Sequence, residues 1–296
     1  GRERELVLRL HTIAGVMPRE PLDAEALALR PKRFGGQWIP EDDVLEVVAC
    51  SAPNLRYLEL PADHCKGIEQ FSNLEHIILT GTKGPAECDL SLLPKLRALS
   101  TTWSRGLTGL SSLRKLEHLA LHYWKATDLS ELSAALPTLR SLTLKACSVA
   151  DLSNLATGQQ LEFLWITSTR RNMLVDCLLG MRNLRSLILD GVLLRGPETS
   201  IGTVANSLEW VILGGAGQMP SLSWLQGARP RAVVLRGSSR VADGKLRWLL
   251  DAGTGWISID QGISAYDVTR NELPSGDGIS APQNPHKNPL RIVGVN

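Results

Sequence analysis

Few side chains in this sequence have the types and spacing of a reaction centre. His76, His118 and His122 are the candidates for holding a metal or moving a proton. His118 and His122 stand four residues apart in an alternating stretch, about 13 Å along a strand, so one zinc ion cannot join them directly. There is no H-E-x-x-H and no Cys/His quartet. The five cysteines, Cys50, Cys65, Cys88, Cys147 and Cys177, show no C-x-x-C spacing, and an odd number does not close a disulfide framework. Free thiols buried as small hydrophobes, in a reducing compartment, are expected. No G-x-S-x-G, Walker loop or dinucleotide fingerprint is present. The GGAG at 214–217 precedes Gln218, Met219 and Pro220 rather than a helix, which makes it a turn. No catalytic residue, metal or cofactor is expected, and the chain reads as non-enzymatic.

Composition narrows the partner more than the chemistry. A net charge of +2 over 296 residues argues against a nucleic-acid surface. The longest apolar runs fall far short of the roughly 20 residues that a membrane span needs. The opening GRERELVLRL is charged and lacks the apolar core of a signal peptide, so a cytoplasmic location is expected. The oligomeric state is left open.

The elements that position side chains come from a repeat. Residues 139–164 read LRSLTLKACSVADLSNLATGQQLEFL, in which Leu139, Leu142 and Leu144 form L-x-x-L-x-L, and the pattern restarts at Leu161, Leu164 and Ile166. Equivalent first positions are Leu55, Leu74, Leu96, Leu116, Leu139, Leu161, Leu184 and Leu208, with weaker units at Val233/Leu235 and Ile257/Ile259. This resembles the leucine-rich repeat, whose period is about 20–29 residues, and within it the short internalin-type repeats of bacteria. The resemblance implies a right-handed solenoid of α/β class with a parallel concave sheet and short 3₁₀ or helical convex segments. The convex wall is expected from Ile68/Phe71, Leu90/Leu93, Leu107/Leu110, Leu129/Leu132, Leu152/Leu155 and Leu222/Leu225, with true helix at 173–179 and 245–250.

Three regions follow: an N-terminal cap with a degenerate first repeat over 1–53, repeats over 54–260, and a C-terminal cap or tail over 261–296. In the first, 6–10 reads as a capping strand, 24–31 as the degenerate repeat and 44–50 as a short helix. The tail is rich in Pro, Gly, Ser and Asn, and 256–270 is the candidate cap.

The family's turn carries an asparagine third after the last strand leucine, whose amide bonds neighbouring turns. Here those positions read Asp63, Thr82, Ser104, Trp124, Cys147, Thr169, Val192, Ala216 and Ser238. Trp124 is too large for such a slot and is expected to swing outward.

Residues flanking the core leucines of each strand face the concave side. Phe163, Trp165, Ile188, Trp210, Ile212 and Val234 place apolar side chains there on adjacent strands, rimmed by Lys145, Asp190 and Arg236. Tyr57, His118, His122 and Trp256 share the same columns. Aromatic residues with a charged rim suit a protein–protein contact. The alternative is that the tail or a C-terminal cap folds over the patch. Asp190 and Asp260 fall about three strands apart, too far to cooperate as a carboxylate pair. The family resemblance implies binding of another protein through the concave face, as an inhibitor, immunity or effector-type protein. A polysaccharide-binding or structural role and an unrecognised enzyme are the alternatives.

Overall fold

The computed structural model describes residues 54–167, 172–174, 178, 181–195 and 207–276, together with 5–6, 26–28 and Leu45. The chain divides into two compact units, Gly1–His122 with Asn284–Asn296, and Tyr123–Gln283. The first holds β1 (Glu5–Leu6), β2 (Ala26–Ala28), β3 (Tyr57–Pro61), β4 (His76–Thr80), β5 (Cys88–Asp89), β6 (Ala98–Thr102), β7 (Leu107–Thr108) and β8 (His118–His122). The second holds β9 (Ser141–Lys145), β10 (Phe163–Thr167), β11 (Asn172–Leu174), β12 (Ser186–Asp190), β13 (Leu193–Arg195), β14 (Trp210–Gly214), β15 (Gln218–Met219), β16 (Ala232–Arg236), β17 (Arg240–Val241) and β18 (Trp256–Ile259).

β-Branched and other apolar residues with a period-two core position make each main strand, and its two core aliphatic residues need a common side on which to be buried. In the first unit β1, β2, β3, β4, β6 and β8 are parallel neighbours. In the second the order is β9, β10, β12, β14, β16, β18, again all parallel. The chain returns to the starting end after each strand, as the right-handed parallel crossover requires.

Register is fixed so that leucine stacks on leucine. Leu58, Ile77, Leu99 and Leu119 form one buried row, and Leu142, Leu164, Leu187, Val211, Val233 and Ile257 another. Removing such a side chain from water contributes about 1.5–3 kcal/mol each.

The backbone pins that register at one point. Before most main strands the carbonyl of the preceding residue accepts two N–H groups of the next repeat, as Arg97 O does from Glu117 and His118 and Glu162 O from Arg185 and Ser186; Glu209 O accepts one, from Ala232. That same column alternates in charge along the chain: Arg56, Glu75, Arg97, Glu117, Arg140, Glu162, Arg185, Glu209, Arg231. Neighbours pair as Arg56–Glu75 at 2.9 Å, Arg97–Glu117 at 2.6 Å, Arg140–Glu162 at 3.2 Å and Arg185–Glu209 at 2.8 Å. Such solvent-screened pairs contribute about 0–1 kcal/mol apiece, so they adjust rather than build the fold.

On the opposite wall, single 3₁₀ turns bury residues spaced by three. Phe71 N–H donates to Ile68 O, Leu93 to Leu90, Leu132 to Leu129, Leu155 to Leu152 and Leu225 to Leu222. In the fourth repeat the pair is Leu110/Leu113 instead of Leu107/Leu110, because Leu107 lies in β7 of a two-stranded ribbon with β5. A recurring Asp-Leu-Ser starts several turns: the N–H groups of Ser91, Ser130 and Ser153 donate to Asp89, Asp128 and Asp151. This is the side chain's usual competition for nearby backbone donors.

Several expectations shift. Helix over 245–250 is found as α1 (Arg247–Asp251). Helix over 173–179 is not, since Asn172–Leu174 is β11 paired with β13; 175–177 and 179 lie outside the described residues. Of the capping strand at 6–10, Leu6 pairs in β1 and the rest lies outside the described residues, as does most of the helix at 44–50, where Leu45 is helical and buried. Residues 256–275, where a C-terminal cap is expected, hold β18, 3₁₀ turns at Ile263–Ala265 and Arg270–Glu272, and an antiparallel bridge from Trp256 to Ser275. Residues 277–296 lie outside the described residues.

The turn slot differs most. Trp124 is fully buried, and its indole N–H donates to Asp128 O at 3.1 Å. The outward residue is its neighbour Tyr123, 50% exposed and left-handed at φ 61°. Among the described residues, every main strand followed directly by a left-handed residue otherwise has Gly there, at 81, 191, 215 and 237, apart from Ala146. Left-handed backbone at 123 rotates the next side chain into the core, where Trp124 occupies the column of Cys147, Val192 and Ala216, all buried. The assigned slots Asp63, Thr82 and Ser238 are exposed, and the buried turn residues there include Cys65 and Ser239. Ser239 Oγ accepts the Ala216 N–H at 3.0 Å, the turn-to-turn bond that asparagine makes elsewhere.

Urea unfolding should therefore separate the adjacent aromatics. Trp124→Ala is expected to destabilise by about 3–5 kcal/mol. Tyr123→Gly, relieved of left-handed strain, should be neutral or stabilising by up to about 1 kcal/mol. Equal losses at both positions would contradict the inward placement of Trp124.

Candidate functional site: the outward sheet face of the C-terminal unit

Strand alternation and register generate the site directly. On the face away from the leucine core, the first column reads Ser141, Phe163, Ser186, Trp210, Ala232, Trp256. The second reads Thr143, Trp165, Ile188, Ile212, Val234, Ser258, and the third runs through Lys145, Thr167, Asp190, Gly214 and Arg236. All nine residues proposed for the patch thus lie on one sheet face, at neighbouring register positions.

They are not equally open. Large and small residues alternate down the first column, so Phe163 and Trp210 have short neighbours at about 4.8 Å on either side and Trp256, on the last strand, has one in Ala232. The rings settle into that relief: Phe163 and Trp210 are buried, and Trp256 meets Trp210 edge-on at 6.0 Å and 84°, across Ala232. Ile212 and Val234 are also buried, at 8% and 2% exposure. Trp165, Ile188 and Trp256 stay half-exposed, as does Lys145, while Asp190 and Arg236 are exposed. The accessible apolar surface is therefore centred on Trp165 and Ile188, which face each other across β10 and β12.

Electrostatics sharpen this spot. The Lys145 ammonium stands 4.5 Å from the centre of the Trp165 ring, a cation–π contact. The indole Nε1 of Trp165 and the hydroxyl of Thr143, its neighbour in register, are buried and make no hydrogen bond. A buried donor without a partner costs about 1–3 kcal/mol, a cost that the packing of Trp165 beside Thr143 has to offset. The charged third column is more settled: Asp260 accepts the Gly237 N–H at 2.9 Å, and the Asp190 carboxylate lies against Gly214, where a Cβ would fall 2.5 Å from its Oδ1. Both carboxylates thus shape turns.

In the N-terminal unit the remaining candidates are more dispersed. Tyr57 is buried and its hydroxyl donates to Glu59 at 3.2 Å. His118 and His122 are half-buried at the two ends of β8. His76 is buried, and desolvation lowers its pKa from 6.5 to about 4, against the raising effect of Glu75. Among the described residues no group of three His, Cys, Asp or Glu could hold a metal ion. Cys65, Cys88 and Cys147 are free and buried; Cys50 and Cys177 lie outside the described residues. No helix among the described residues is long and apolar enough to cross a membrane.

The sequence reading missed the small spacers Ser186 and Ala232, although they stand in its own columns. It also missed the Arg/Glu column, whose signal is plain once repeats are aligned.

The lowered pKa of His76 has a definite sign. The folded state resists protonation that the unfolded state accepts, so its contribution is complete above about pH 6.5 and is lost as pH falls towards about 4. Thermal melts at neutral pH and at about pH 4.5 should show a smaller acid-induced drop for His76→Gln than for the unaltered chain. Identical drops would exclude His76 as a contributor.

With this geometry established, comparison with known proteins gives the following. No protein-family model matches the sequence. No curated protein matches it either. Solved structures do. An internalin, InlF, of Listeria monocytogenes superposes with a TM-score of 0.56 at 15% identity, covering 80% of this chain and 72% of that one. A leucine-rich-repeat protein of Leptospira interrogans gives 0.53 at 17% identity, covering 80% of this chain and 66% of that one, so this chain spans a little under two thirds of it. Identities this low speak to the fold alone. With the in-phase leucine rows and parallel strand order, they show a leucine-rich-repeat solenoid that resembles the internalins in fold.

Proposed function

We propose that this chain is a non-enzymatic protein-binding module of the inhibitor, immunity or effector type, acting in the cytoplasm through the outward sheet face of its C-terminal unit. One observation carries the proposal: Trp165 and Ile188 present half-exposed apolar surface side by side, between the charges of Lys145, Asp190 and Arg236. Nothing in repeat packing asks for an indole on that face. An exposed tryptophan beside a basic side chain has the composition of a binding hot spot.

Affinity capture from a lysate of the source organism tests this, comparing the unaltered chain with Trp165→Ala/Ile188→Ala. Both positions are half-exposed, so the double variant should keep its circular dichroism spectrum and melting temperature. If the pair anchors the partner, retention of a stoichiometric protein should weaken by about 30-fold or more, the effect of losing a hot spot of about 2 kcal/mol. A partner held equally by both chains would overturn this site.

A further inference from the structure

The N-terminal unit holds two reactive groups that repeat packing does not require. Cys65 follows the 3₁₀ turn Ala62–His64, and Cys88 opens β5 in the next repeat; both are buried and free. Burial alone does not call for sulfur there, because Leu107 of β7, the register partner of Cys88, is buried as an ordinary aliphatic.

The two side chains are brought together by the stacking of their repeats. The Cys65 thiol donates to the Glu87 carbonyl at 3.3 Å, against the peptide that leads into Cys88. No peptide bond among the described residues is cis, and across a trans peptide the carbonyl oxygen lies about 2.8 Å from the next Cα. The Cys65 sulfur therefore stands no more than about 6 Å from the Cys88 Cα. Disulfides join Cα atoms about 4.4–6.8 Å apart, a window that contains the repeat spacing of about 4.8 Å. Both backbones are held in place: the Ile68 N–H donates to Cys65 O at 3.1 Å, and the Cys88 N–H to Gly106 O at 2.8 Å.

Electrostatics make the thiols unequal. A hydrogen bond from the Cys88 thiol to the Cys65 sulfur lowers the Cys65 pKa, against the raising effect of burial. The same bond raises the pKa of Cys88, and burial raises it further. Cys65 is thus the better nucleophile of the two, since the thiolate is the form that reacts. Exposed Lys66, Glu87 and Asp89 flank the cysteines in sequence, so the sulfurs lie one residue beneath the surface. A small peroxide suits that depth better than a bulky disulfide.

We propose that Cys65 and Cys88 form a peroxide-reactive pair that closes a disulfide between adjacent repeats. The Cys65 thiolate attacks one peroxide oxygen; the S–O bond forms as the O–O bond breaks, and the departing hydroxide takes up a proton to leave as water. Cys88 then gives up its proton and attacks the Cys65 sulfenic sulfur. The S–S bond forms, the S–O bond breaks, and the second oxygen leaves as water. Two thiols and one hydrogen peroxide give one disulfide and two waters, the peroxide accepting both electrons. The bridge closes a loop of about 23 residues and ties the Ala62–His64 turn to β5. It does not depend on the binding face proposed above, none of whose anchoring residues takes part.

Peptide mapping of the full-length chain tests the pair. Trypsin cleaves after Lys66 and Lys83, which leaves the two cysteines on separate peptides, 57–66 and 84–95. After treatment with hydrogen peroxide and alkylation of the remaining thiols, these peptides should be recovered joined, and dithiothreitol should part them. Cys147, whose thiol donates to Thr167 O at 3.8 Å and whose pKa burial raises, should stay alkylatable over the same interval. In Cys88→Ser the reaction should stop at a Cys65 sulfenic acid, captured by dimedone. In Cys65→Ser, dimedone labelling of Cys88 should be about ten-fold lower. The joined peptides are read on the unaltered chain, so that result stands whether or not the serine variants fold. Absence of the joined peptides, or Cys65 joined as often to other cysteines as to Cys88, would overturn the pair. Equal dimedone labelling of the two variants would overturn Cys65 as the attacking thiol.

Discussion

Parallel stacking in strict register is the constraint on which the molecule depends. The carbonyl before a strand accepts one or two N–H groups from the next repeat, and from that point paired strand residues lie over their counterparts at about 4.8 Å. A position in the repeat is therefore a column in space, and each column has its own physics. The leucine columns exclude water and hold the sheet to the 3₁₀ wall. The first outward column must solve a packing problem among its own members, which it does by interleaving Phe163, Trp210 and Trp256 with the short residues Ser141, Ser186 and Ala232. Where the residue after a strand turns left-handed, glycine is favoured, and the exceptions at Tyr123 and Ala146 carry strain.

How legible this was from the sequence follows from the same constraint. Leucine spacing defines the strands because hydrophobic burial has a period, and the first positions from Leu55 to Leu208 all lie in the buried rows. The outward columns follow by alternation, so the nine residues of the patch could be placed on one face without coordinates. What alternation does not contain is depth. Whether Trp210 projects or lies down is decided by the size of residues one and two repeats away, a long-range comparison that no local pattern makes.

Turn geometry was less legible for a different reason. The side chain in the slot was judged by whether it could replace an asparagine amide, as though hydrogen bonding were the only way to fill it. Trp124 shows the other way: a large ring occupies the interior while its N–H is satisfied within its own turn by Asp128. In the repeat before β18 the hydrogen bond is kept but made by Ser239, one residue later than the spacing suggested. Counting from the strand fails where the turn gains or loses a residue.

The column of alternating charge before the strands bears on how such a chain can change length. Arginine follows glutamate at every step from Arg56 to Arg231, although the repeats themselves vary from 19 to 24 residues. Excising one repeat from such an array sets two residues of like charge side by side, whereas excising two restores the original neighbours. The edge thus carries a parity, and the unit of gain or loss that leaves its electrostatics undisturbed is the doublet of repeats.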